Sequence, residues 1–177
     1  GERPTPEILH EAYALATDDV MHFTKVGPAL ARRRMESLDA ALLAHGIEKH
    51  LAKYELGVSN GTCVGVDLCD GTFFTAHAPR LALLLAAIIE VISAGSCTPR
   101  QLHAILGAAQ WIFLLNRPLF SCLDSAYAFT RLAPEHEERA IGDDVLCELS
   151  MIMALSPYVE ADLRRAWSFF FAATDAS

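Results

Sequence analysis

The chain has no apolar run near the roughly 18 residues that would suggest a membrane span. Its most apolar stretch, residues 81–89, is bounded by Arg80 and Glu90 and reads as a buried helix. No CxxC pair occurs, and the five cysteines (Cys63, Cys69, Cys97, Cys122 and Cys147) are scattered and odd in number. That excludes a disulfide framework and a zinc site, and the expectation is reduced, mostly buried thiols. A Gly-rich phosphate loop and a Gly-x-Ser-x-Gly elbow are absent, and the seven histidines form no HExxH pair, so P-loop and hydrolase readings have no support. Basic residues are scarce, with 14 Lys and Arg against 22 Asp and Glu, for a net charge of −8. The one dense basic cluster is Arg32, Arg33 and Arg34. Phosphate binding needs basic surface, so this balance counts against a nucleic-acid partner unless the positive charge is concentrated locally. No tandem repeat or secretory signal is visible, and an intracellular location with no membrane association is the expectation.

Apolar residues make up 53% of the chain and charged residues 20%, which suits a packed core and argues against disorder. Residues 13–24 (YALATDDVMHFT) place Asp18-Asp19 between two short apolar runs, a hairpin pattern. Residues 28–44 have apolar positions at spacings near three and four, with Gly46 just beyond, which predicts a helix. Residues 62–68 and 72–75 flank Cys69-Asp70-Gly71, and Asp-Gly between β-prone runs predicts a second hairpin. From Pro79 onward the pattern is helical. The predicted spans are 81–93, closed near Gly95; 99–115, opened by a Thr98-Pro99-Arg100-Gln101 capping box; 119–132; 141–155; and a short one at 161–166. Residues 168–174 (SFFFAAT) read as a buried strand leading to Asp175. The fold class expected is α+β, mostly α-helical. Gly1 in place of Met, and an end directly after an apolar run, are read as the marks of an excerpt.

The order of these pieces resembles the C-terminal part of a retroelement reverse transcriptase. Ala16-Thr17-Asp18-Asp19 sits where that family has its aromatic-x-Asp-Asp box. Lys53, in GIEKHLAKYELG, looks like the loop lysine, and Val64-Gly65-Val66-Asp67-Leu68 looks like the hairpin that precedes the thumb. Residues 103–116 (HAILGAAQWIFLLN) are similar to the family's thumb helix, in which a Leu-Gly pair is followed by an aromatic four residues after the Gly. Thr174-Asp175-Ala176-Ser177 resembles the opening strand of an RNase H domain. The resemblance implies a partial palm (two β-hairpins and a helix) over 1–76, a helical thumb and connection over 77–165, and the first strand of an RNase H-like domain over 166–177.

The activity it implies is RNA-directed DNA polymerisation. A primer 3′-hydroxyl attacks the α-phosphate of a deoxynucleoside triphosphate with the help of two Mg²⁺ (or Mn²⁺) ions. By the resemblance, Asp18 and Asp19 hold the metal, Lys53 lies near the leaving pyrophosphate, and Asp175 binds metal for RNA-strand hydrolysis. The face carried over to the RNA/DNA template–primer is His103, Gly107, Gln110 and Trp111. The residues taken alone allow plainer roles: an Asp-rich turn, a solvated Lys53, close helix packing at Gly107 and a core Trp111. Two departures stand out. Ala16 replaces the aromatic of the box, and no Asp precedes Tyr13 to supply the family's third carboxylate, so the piece alone is expected not to polymerise. A decayed, non-catalytic retroelement remnant and a helical interaction module with an incidental Asp-Asp turn are the other readings.

Overall fold

The structure, a computed structural model, describes residues 11–16, 19–25, 27–47 and 56–165. They fall into two compact units, one holding the residues before Asn60 and after Leu163, the other Asn60–Leu163. The class is α+β and mostly helical, as expected.

In the first unit, β1 (Glu11–Ala16) and β2 (Asp19–Thr24) pair antiparallel, with Ala16 opposite Asp19 and Glu11 opposite Thr24. This is the expected first hairpin. The helix α1 (Pro28–Ala44) also has the bounds that its apolar spacing predicts. Pro28 takes the first helical position, where a missing N–H is no loss. Gly46, at φ +75°, closes the helix by donating to the Leu43 carbonyl, while Ile47 donates to Leu42.

The second unit opens with a meander. β3 (Gly61–Cys63), β4 (Val66–Cys69) and β5 (Phe73–Ala76) are consecutive antiparallel strands. The expected single strand over 62–68 is therefore two strands. Val64 and Gly65 form a two-residue turn, with φ of +47° and +79°. Positive φ at both positions suits the right-handed twist of a tight hairpin, but it is uncommon for a β-branched residue. The Asp-Gly connection forms as expected, with Asp70 at φ +50° and Gly71 at φ +64°. Asn60 braces it by accepting from the Asp70 N–H at 2.9 Å.

Helices α2 (Ala78–Ala94), α3 (Pro99–Phe113), α4 (Asp124–Thr130) and α5 (Asp143–Leu155) follow. α3 packs on α2 and α4, and α5 packs on α4 and α2. Leu84 and Ile88 of α2, Leu102 and Leu106 of α3, and Leu149 and Ile152 of α5 are buried in the shared core. Full burial of each such side chain contributes about 1.5–3 kcal/mol. Between α2 and α3 lies β6 (Ser96–Cys97), which pairs with β7 (Arg139–Ala140) ahead of α5.

Four expectations need correction. The run 119–132 is not one helix: a 3-10 helix (Arg117–Cys122) gives way to α4 at Leu123, whose φ of −126° breaks the helix and whose side chain is fully buried. The described part of the expected helix 161–166, residues 161–165, is not helical, because β8 (Glu160–Asp162) pairs antiparallel with β5 and extends the sheet to the order β3-β4-β5-β8. The apolar stretch 81–89 is buried on one side only, with Leu83 72% exposed and Ile89 53% exposed. Of the five thiols, Cys97 alone is buried, and Cys147 is exposed.

Candidate nucleic-acid interface

α3 is fixed at its start by chemistry local to the sequence. Thr98 Oγ1 accepts from the Gln101 N–H at 3.1 Å, Gln101 Oε1 accepts from the Thr98 N–H at 2.8 Å, and Pro99 takes the first helical position. This reciprocal cap satisfies two backbone donors that the helix leaves open. From there Leu102, Ile105, Leu106, Ala109, Ile112 and Phe113 turn into the core. The same periodicity turns His103, Gly107 and Trp111 outward, one every four residues. Two helical turns, about 12 Å, separate the first from the last.

These are three of the four residues of the expected face, and all three are exposed. Gly107 does not serve close helix packing, since a Cβ built there meets nothing within 4 Å. Trp111 is not a core residue: it is 39% exposed, and its indole Nε1 donates to the Val64 carbonyl at 2.8 Å. Gln110 sits apart from the other three. It is half-buried, and its amide is hydrogen-bonded to the Tyr127 hydroxyl of α4.

Beside this face runs a groove of about 540 Å³ between α2 and α3. Leu84, Ile105 and Ile112 form its buried floor, and the small residues Ala104 and Ala108 keep its α3 wall low. Gly65, Arg80 and Trp111 meet at its lining. A Cβ on Gly65 would overlap the Arg80 guanidinium and come within 2.8 Å of Trp111 Nε1. Glycine suits the positive φ there, and a Cβ would also press on the Trp111 indole, whereas the exposed Arg80 can swing aside.

Arg80 belongs to the first turn of α2, and that turn is pinned from the sheet. Asp67 accepts hydrogen bonds from Thr62 Oγ1 at 2.6 Å, from His77 Nδ1 at 2.9 Å and from the Ala78 backbone N–H. Burial pushes the Asp67 carboxyl up, but the bonds from Thr62 and His77, the His77 ring and Ala78 together outweigh it and hold the pKa below the usual value. The carboxylate thus caps α2 from a neighbouring strand. Arg80 is the site residue that motif reasoning misses, while Gly65 enters that reasoning only as part of the hairpin motif and not as a site residue. The available signal is one Arg at the start of the most apolar run in the chain.

Charge is distributed unevenly. α3 contains no Asp or Glu, and Glu90, the single acidic residue of α2, lies at the far end from Arg80. In a chain of net charge −8, neither α3 nor the groove lining carries a carboxylate. Asp18, Lys53 and Asp175 lie outside the described residues, as does the expected strand 168–174. Asp19 opens β2, opposite Ala16 at the end of β1. Among the described residues no group of three His, Cys, Asp or Glu side chains could hold a metal ion, and no helix is long and apolar enough to cross a membrane. No protein family, curated protein or solved structure matches the chain.

Proposed function

We propose that the chain is a section of a retroelement RNA-directed DNA polymerase, with the end of the palm over 1–76, the thumb and connection over 77–165 and the start of an RNase H-like domain over 166–177. The observation that carries the reading is the His103, Gly107 and Trp111 stripe. It is an exposed, carboxylate-free face on a firmly capped helix, with a glycine in open space where the backbone can approach a ligand. The thumb resemblance assigns that face to the template–primer.

On this reading Asp18 and Asp19 would hold Mg²⁺ (or Mn²⁺). Adjacent carboxylates at a short hairpin connection offer the hard oxygen donors such ions prefer. A bound ion supplies charge neutralisation at the nucleotide phosphates. Lys53 would donate a proton or positive charge to the leaving pyrophosphate. Asp175 would serve RNA-strand hydrolysis, and Gln110 would brace the binding face through Tyr127. The partners are an RNA/DNA template–primer and deoxynucleoside triphosphates, inside the cell. Exposed Leu83 and Ile89 on α2 favour a second reading, a helical interaction module.

Primer extension on an RNA template with Mg²⁺ tests the proposal, using the parent polypeptide and its Asp18→Ala/Asp19→Ala variant. Extension by the parent alone supports it. Equal extension by both removes the hairpin from the active site, and none by a well-folded parent points to the decayed remnant.

A further inference from the structure

We infer that Arg80 is a phosphate-binding residue of the same surface, engaging the sugar-phosphate edge of a nucleic-acid duplex whose groove lies along His103, Gly107 and Trp111. The inference rests on the proposed nucleic-acid reading of that face. Three observations carry it.

The first is position. The Arg80 guanidinium and Trp111 Nε1 converge on one point above Gly65, so the cation is adjacent to the exposed aromatic end of the α3 stripe although it comes from another helix. The second is availability. Arg80 is exposed, the first turn of α2 holds no acidic residue, and no described carboxylate pairs with it. An unpaired guanidinium presents a planar fork that matches phosphate oxygens. The third is the surround. The groove beside Arg80 has no acidic lining residue, and its α3 wall of Ala104, Gly107 and Ala108 is low enough to meet a shallow surface. An RNA-containing duplex presents a wide, shallow minor groove flanked by phosphates. A helix face seated in that groove puts a cation on the adjoining helix at its phosphate edge.

Salt dependence separates this role from packing. Each neutralised duplex phosphate contributes about 0.9 to the slope of log K against log salt. The experiment measures binding of the full chain to a short fluorescent RNA–DNA hybrid between about 50 and 200 mM salt. Arg80→Gln is expected to lower the slope by about 0.9, and Arg80→Lys is expected to keep it. Trp111→Ala is expected to weaken binding with the slope unchanged. Binding by the wild type with an unaltered slope in Arg80→Gln overturns the Arg80 assignment and leaves the α3 face standing. No binding by folded wild type at low salt overturns the nucleic-acid reading of the face, and the Arg80 inference with it. Circular dichroism establishes that each variant is folded.

Discussion

Trp111 and Val64 are joined by a hydrogen bond of 2.8 Å from the indole nitrogen to a turn carbonyl, which ties the outward face of α3 to the tip of the β3–β4 hairpin. The turn in question is strained at one residue and sterically closed at the next. Val64→Asn places a residue that tolerates positive φ at φ +47°. Left-handed backbone costs a branched residue about 1–2 kcal/mol, and the valine is only half-buried, so a net gain of about 0.5–1 kcal/mol is expected. Gly65→Ala should lose about 1–2 kcal/mol, because alanine is strained at φ +79° and its Cβ would come within 2.8 Å of the Trp111 indole nitrogen. Urea denaturation of the two variants should shift the midpoint in opposite directions.

Gly107 separates stability from function. Its added methyl meets open space, so Gly107→Ala should stabilise α3 by about 0.5–1 kcal/mol through helix propensity. If the backbone there lies against a duplex, the same methyl should weaken binding to an RNA–DNA hybrid. A variant that is more stable and binds as tightly as the wild type would remove close approach at Gly107 from the account.

Glu148 caps a helix other than its own. Its Oε1 accepts from the Ser125 N–H and its Oε2 from the Ala126 N–H, each at 2.8 Å, at the start of α4. The side chain is buried, so truncation leaves two donors without partners. Glu148→Ala is expected to cost about 2–4 kcal/mol, summing a lost charged acceptor and the unpaired N–H groups. Thermal and urea unfolding should both register it, and a loss below about 0.5 kcal/mol would contradict the capping role.

Asp67 sets an acid limit on the second unit. Its folded pKa is depressed, so its stabilisation is fully present above the unfolded carboxyl value of about 3.9 and is lost as pH falls through the folded value. Asp67→Asn should be less stable than wild type at neutral pH. The two should converge as the solution is acidified, a comparison that urea midpoints across pH can make directly.

What the sequence makes legible is what local chemistry decides. The Thr98–Gln101 box, Pro28 at the start of α1, Gly46 beyond its end and the Asp70-Gly71 connection all act on their immediate neighbours. The face of His103, Gly107, Gln110 and Trp111 comes from the thumb resemblance; helix spacing lets His103, Gly107 and Trp111 share one side, and Gln110, one residue off that spacing, turns toward Tyr127. The Val64-Gly65 turn is hard to read because valine is no turn former. β8 is harder still, since Glu160-Ala161-Asp162 has little strand preference and is ordered by its partner β5. Arg80 belongs to the site only through the folded turn at Gly65, a juxtaposition that no local spacing encodes.

The pairing of β8 with β5 also bears on edge-to-edge association between chains. Without that short strand, Phe73, Phe74 and Thr75 would stand on an open sheet margin, an apolar template on which a second chain could add a strand. With it, the outermost strand among the described residues carries Glu160 and Asp162 and is only three residues long, two features that discourage fibril-like stacking. A polypeptide ending before Glu160 should therefore aggregate even where its helices still form.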